Sequence, residues 1–410
     1  MKNKILSFAV LIFATATSFA QNSAVYKAEE LMNDEELIKA QSVITPALTN
    51  PKTKLLGYAY NVAGNIECRL LQPEILKAAD HQALDTTLFV NSLNAAAKYF
   101  IESDKIYKAM PKHNAEAKEK MADNKNMMRQ ILSYFAYAGQ FENQRGNKKG
   151  AYESFEKFIA LPQCPIFTEE ETKAIYDKDR ELYNRIGYYA TLLANEMKDY
   201  DGILKNVDFA IANPESRNDG YILKLQAYLE KQDTASWVKT ARQAIEDGTD
   251  NATFCNNLLY YYNSHNLKDE AKAMADELVQ KAPNSKMAWY ARGCVSMNTF
   301  KKFADARADF DKAIELDPNF IDAIYNKGVS YVNELISLNL NTDTKSKDYK
   351  QTLEKAHQYY GQAQPLFEKV RQLAPEKPEL WAENLRMVYF NLDKQDLAKE
   401  MEQVVLNMHK

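Results

Sequence analysis

Small and aromatic residues return along this chain at helical spacing, in pairs of stretches joined by short polar turns. The clearest pair covers residues 288–318. Trp289 and Gly293 stand four apart on one face of a first helix, and Ala306, Phe310 and Ala313 follow at i, i+4 and i+7 on one face of a second. Gly293 and Ala306 allow close backbone approach, and Trp289 and Phe310 are expected to fill the space beside it. Asp317-Pro318 then ends the second helix. The pattern recurs after Pro318 in Ile324, Gly328 and Tyr331, and upstream in Phe254, Leu258, Tyr261, Ala271, Ala275, Leu278 and Pro283. Farther out it persists as spacing: Gly139 with Ala151 and Phe155, Gly187 with Val207 and Ala210, and Ala40, Ile44 and Ala47 before Pro51. At the C-terminal end Ala363, Phe367 and Val370 precede Trp381 and Leu385, so about seven to ten helical pairs are predicted.

The order aromatic, Gly, Ala, aromatic, Ala, Pro in residues 288–318 resembles the tetratricopeptide repeat (TPR), which has a period of about 34 residues. The resemblance implies an all-α fold, a right-handed superhelical solenoid of antiparallel helix pairs, and a protein-binding role. Two departures stand out. The step from Gly293 to Ala306 is one residue longer than usual, which predicts an enlarged turn around Asn298–Lys302, and Arg292 stands where an apolar residue is common. By clarity of the motif the chain divides into degenerate helical repeats over 21–138, divergent repeats over 139–250 and clear repeats over 251–410. Residues 94–107 are amphipathic, whereas 111–126 are charged and predict a solvated helix or loop, a degenerate pair with a long connection.

Residues 1–20 predict a cleaved signal peptide. Lys2 and Lys4 precede the apolar run Ile5–Phe13, and Ser18-Phe19-Ala20 offers small residues for cleavage before Gln21. The apolar run is short for a membrane span, and no lipid-attachment cysteine follows, so a soluble periplasmic or secreted product is expected. The charge balance of 52 Lys and Arg against 56 Asp and Glu, without long single-sign blocks, argues against a nucleic-acid partner. Cys68, Cys164, Cys255 and Cys294 lack metal-site spacing. Free buried thiols are the default, and Cys255 with Cys294 is the pair to consider if any disulfide forms.

In the repeat that this chain resembles, first helices line a concave groove. Carried onto this sequence, that places Cys255, Asn256, Leu259 and Tyr262, then Met287, Tyr290, Cys294 and Met297, then Tyr325, Asn326 and Val329 on or near a groove. The candidate partner-binding residues are Asn256, Tyr262, Tyr290, Tyr325 and Asn326, with Tyr290 and Tyr325 either facing the groove or filling the helix–helix seam. Arg292 and Lys327 lie one step off the positions that would clamp a terminal carboxylate. The polar segment 339–350 interrupts one pair between its helices, as a contact loop or a tolerated insertion. His81, His113, His265, His357 and His409 form no metal pair and no nucleophile motif, so no catalytic residue, metal or cofactor is predicted. The expected function is a non-catalytic scaffold that binds a protein or peptide segment and organises an envelope complex. The alternative is an exported all-helical protein that acts on or binds a glycan, built as a toroid or a solenoid.

Overall fold

The computed structural model describes residues 22–80, 82–110, 115–249, 252–340, 343 and 345–408. The predicted signal peptide, His81, His113 and His409 lie outside the described residues. Among the described residues the secondary structure is helical throughout, with no strand. The chain falls into two compact units, Met1–Ser216 and Arg217–Lys410.

In the first unit α1 (22–33) pairs with α2 (Leu37–Thr49), and α3 (Leu56–Ala79) with α4 (Thr86–Lys108). An extra helix, α5 (Ala115–Ile131), packs on that second pair. Next come α6 (Tyr134–Gln144) with α7 (Lys148–Ala160), the short α8 (Glu169–Lys178), and α9 (Arg180–Glu196) with α10 (Tyr200–Ala212). The second unit holds five pairs in chain order. These are α11 (Arg217–Glu230) with α12 (Thr234–Glu246), α13 (Ala252–Ser264) with α14 (Lys268–Lys281), and α15 (Lys286–Cys294) with α16 (Phe303–Leu316). The last two are α17 (Ile321–Ser337) with α18 (Tyr349–Leu373), and α19 (Ala382–Asn391) with α20 (Gln395–Met408). Each helix packs mainly on its neighbours in the chain, as in TPR arrays.

Two devices repeat. First, the connection inside most pairs passes through one left-handed residue: Glu35, Gly146, Lys198, Gln232, Asn266, Lys301, Asn339 or Asp393. Second, a glycine on the first helix receives a phenylalanine ring from the second. A Cβ at Gly293 would stand 2.6 Å from Phe310 Cε1, inside van der Waals contact, so only glycine fits. The same contact joins Gly64 to Phe100, Gly139 to Phe155 and Gly328 to Phe367. Ala306, Phe310 and Ala313 are all fully buried, as the spacing predicts.

The longer step between Gly293 and Ala306 is absorbed by one π-turn, Val295–Thr299, in which Phe300 N–H donates to Val295 O. Trp289 does not fill the seam. It is half-buried, donates from Nε1 to Pro283 O at 2.7 Å, and lies under the Arg292 guanidinium at 4.8 Å. The neighbouring Tyr290 ring takes the seam, 6.0 Å from Phe310 and 5.3 Å from Phe320. Arg292 compensates for its charge by gripping the buried Asp309 on α16, with Nη2 to Oδ1 at 2.6 Å.

The reading of 94–126 needs correction. α4 pairs with α3 through Phe100 against Gly64, and α5 is a packed third helix. Its Asn124 is buried, accepts from Asn61 Nδ2 at 2.7 Å and donates to Ser103 Oγ at 2.9 Å; Ser103 in turn donates to Gly57 O. A charged sequence hides this polar seam because only four of its positions, Ala117, Asn124, Met128 and Ile131, are buried.

A candidate binding face in the second unit

The candidate residues on α13, α15 and α17 meet in one place. Tyr290 Oη donates toward Asn256 Oδ1 at 3.5 Å and accepts from Asn326 Nδ2 at 3.0 Å, a chain that ties three successive first helices together. Asn384 on α19 extends the theme with Nδ2 at 3.5 Å from Tyr325 Oη. Asn256 is exposed, and Tyr325 and Asn326 are half-buried.

Tyr290 and Tyr262 lie elsewhere than a groove surface. Tyr290 is 1% exposed and Tyr262 6%. Burial raises the phenol of each above its ordinary range, as it must for a hydroxyl withdrawn from water. Met287, Cys294, Met297, Cys255 and Leu259 are buried with them, so most expected groove positions of these repeats form a closed seam. The physical reason is ring size. Tyr290 reaches Phe310 and Phe320 at once and closes the gap that a smaller residue would leave open.

All four cysteines carry free thiols. Burial pushes Cys294 up to about 12 and holds Cys255 well above the ordinary thiol value. Partial desolvation of its carboxyl holds Asp322, at the start of α17, above the usual aspartate range, and Lys377 and Lys286 pull the other way. Both cations near the expected clamp positions are engaged by α16 carboxylates, Arg292 by Asp309 and Lys327 by Asp311. No group of His, Cys, Asp and Glu among the described residues is arranged to hold a metal ion, and no described helix is long and apolar enough to cross a membrane.

An open groove lies one repeat upstream, between the first helices α11 and α13, with α12 at its end. Its volume is about 710 Å³. Leu225 and Phe254 form the floor, and both are buried. The walls carry Leu229, 66% exposed, and Tyr260, 77% exposed. Trp237, Tyr261 and His265 make an aromatic file along one side, with ring centroids 6.2 Å and 4.4 Å apart in turn. Gln226, Gln232 and Asn257 supply amides, and no Asp, Glu, Lys or Arg lines the groove. It therefore suits an uncharged group with an apolar body and a few polar edges.

Sequence reasoning missed Leu229, Trp237, Asn257 and Tyr260. A signal was present in Tyr260-Tyr261-Tyr262. Three consecutive rings on a helix fan through about 200°, so a helix buried on one face must leave one outside. Tyr262 turns into the core, Tyr261 lies between, and Tyr260 points into the groove.

No protein-family model matches the chain, and no curated protein does. Solved structures resemble it at low identity. The C-terminal part of a TPR repeat-containing protein from Cytophaga hutchinsonii is 15% identical over 67% of this chain and 94% of that one, with a TM-score of 0.37. A TPR repeats protein from Bacteroides fragilis is 14% identical over 67% of this chain and 98% of that one, with a TM-score of 0.32. YrrB, described as a TPR protein with an unusual peptide-binding site, is 18% identical over 54% of this chain and 97% of its own, with a TM-score of 0.27. The fold of the present chain stands on its own helix pairing; what those proteins bind belongs to them.

Proposed function

We propose that this chain is a non-catalytic TPR-type scaffold that holds an uncharged, apolar segment of a protein partner in the groove between α11 and α13. The observation that supports this reading is the groove itself, about 710 Å³, aromatic-walled and lined by no Asp, Glu, Lys or Arg, with Leu229 and Tyr260 exposed. One large apolar side chain transferred from water into such a site contributes about 1.5–3 kcal/mol, which alone gives weak binding. Amides at Asn257, Gln226 and Gln232 supply the rest by bonding the partner's backbone, and a groove built on packed helices lowers the ordering cost. The signal peptide predicted over residues 1–20 supports export, and the proposal includes a role in an envelope complex; N-terminal sequencing of the mature protein is expected to begin at Gln21.

Peptide selection against the intact chain tests the binding role. Enriched peptides are expected to share a Leu or an aromatic residue flanked by uncharged residues, and to lose affinity at least tenfold with Trp237→Ala. Enrichment that ignores this substitution sinks the proposal. A neutral oligosaccharide that binds with the same dependence would replace the peptide by a glycan.

A further inference from the structure

The first unit holds a hollow of different chemistry. It lies between the first helices α6 and α9, has a volume of about 680 Å³, and is floored by the buried Phe155, Ile186 and Leu193. Gly139 on α6 is pressed onto Phe155 of α7, and Gly187 on α9 onto Phe209 of α10. Each first helix is thereby fixed by one face, and the opposite face is left for the hollow. On α6 that face carries Tyr137, Gln140 and Gln144, and on α9 it carries Arg185, Tyr189 and Glu196. Within each set the three residues fall inside about 60° of one another around an ideal helix, so two stripes of side chains wall the hollow.

Each stripe contributes one exposed ring, Tyr137 at 52% and Tyr189 at 44%. Tyr189 is supported by Phe155 and by Tyr188, each with its centroid 6.3 Å away, and Tyr137 by Phe141 at 6.4 Å. Both rings therefore present a flat face that a neighbour holds in place. The polar groups beside them are unengaged. Gln140, Asn143 and Gln144 line the hollow and are exposed, and their amides hold no hydrogen bond within the described residues. Arg185 is exposed and has no ion-pair partner among the described residues. Glu196 supplies the opposite charge and is paired with Lys148 at 2.6 Å.

These features select among occupants. A wholly apolar segment would cover three amides, a guanidinium and a carboxylate without bonding them, which opposes binding. A simple anion would meet Glu196, and a simple cation would meet Arg185. A neutral pyranose chain avoids each penalty. Its C–H faces lie against aromatic rings, and its edges carry hydroxyls, each both donor and acceptor. Amides donate and accept in one plane, and a guanidinium or a carboxylate can hold two neighbouring hydroxyls at once. From Arg185 to Glu196 the α9 stripe runs about 16 Å, longer than one sugar ring.

We propose that the hollow between α6 and α9 binds a neutral oligosaccharide, with Tyr137 and Tyr189 as stacking platforms and Gln140, Gln144 and Arg185 as partners for its hydroxyls. The site does not rest on the α11–α13 groove, since every residue named here lies in Met1–Ser216.

The test is calorimetry on the intact chain with six neutral hexasaccharides: maltohexaose, cellohexaose, laminarihexaose, xylohexaose, mannohexaose and chitohexaose. At least one is expected to bind, one per chain, with a Kd below about 1 mM. Against that sugar Tyr137→Ala and Tyr189→Ala should each weaken binding at least tenfold, and Gln140→Ala at least threefold. Tyr137→Phe keeps the stacking ring and should stay within threefold, which separates loss of the ring from loss of the fold. Trp237→Ala should leave binding unchanged. Binding of none of the six sugars, indifference to both tyrosines, loss of binding with Trp237→Ala, or displacement of the sugar by an apolar peptide selected on this chain would overturn the proposal.

Discussion

Within the second unit, the seam from α13 through α15 to α17 and the groove between α11 and α13 share one helix, are built from the same kind of helix pair, and behave oppositely. In the seam the repeat pattern is best kept, and Met287, Tyr290, Cys294 and Met297 are buried. In the groove only α11 lies in the divergent stretch, α13 keeps the pattern, and Leu229 and Tyr260 stand exposed around a hollow without carboxylate, lysine or arginine. The difference is one of ring placement. Tyr290 spans from Phe310 to Phe320 and seals its gap, whereas Tyr260 points out of the α13 packing stripe and leaves its gap open. Agreement with the repeat pattern therefore marks which helices stack, and whether the space between two first helices is open or closed depends on the rings at the remaining positions.

The comparison can be broken first at the seam. Phe310→Ala removes the ring seated on Gly293 and should cost about 3–5 kcal/mol by urea denaturation. A loss under about 1 kcal/mol would mean that the seam is not tightly packed. Thiol accessibility sharpens the same point. Cys255 and Cys294 are buried with raised thiol values, so native-state alkylation should be at least a hundredfold slower than in the unfolded chain. Tyr290→Phe keeps the ring and removes only the hydroxyl between Asn256 and Asn326, which should cost about 1 kcal/mol.

The smallest expected effect lies in the first unit and serves as an outside reference. Glu171 closes a capping box with Thr168 and pairs with Lys125 and Arg129. The Thr168 N–H, and then these cations, hold its carboxyl below the ordinary value of 4.5. A depressed folded value means that the stabilisation is complete above the unfolded value and is lost as pH falls through the folded one. Glu171→Gln should therefore flatten the acid limb of the stability profile below about pH 4.5 and leave the groove's ligand affinity unaltered.

Much of the architecture was legible because close helix contacts need particular residues. Gly293 with Phe310 and Gly139 with Phe155 were readable from spacing, and the structure seats each ring on its glycine. Ala40, Ile44 and Ala47 on α2, and Val207 and Ala210 on α10, are buried as their spacing implies. Legibility failed where one face carries few apolar residues. The buried Asn124 of α5 bonds Asn61, 63 positions away, and no local pattern announces such a partner. At the candidate site the sequence brought the right helices together. Asn256, Tyr290 and Asn326 do meet, but whether a ring at Tyr290 faces a groove or fills it depends on Phe320, which belongs to the next repeat.

The central claim, that the open groove rather than the closed seam is the binding face of the second unit, is tested most directly by a matched pair of substitutions. The affinity of a groove-selected peptide is measured by calorimetry for Tyr260→Ala and Tyr290→Phe beside the parent chain. Tyr260→Ala should leave stability within about 0.5 kcal/mol and weaken the peptide at least tenfold. Tyr290→Phe should cost stability and leave affinity within twofold. The reverse outcome, affinity lost with Tyr290→Phe and kept with Tyr260→Ala, would contradict the account.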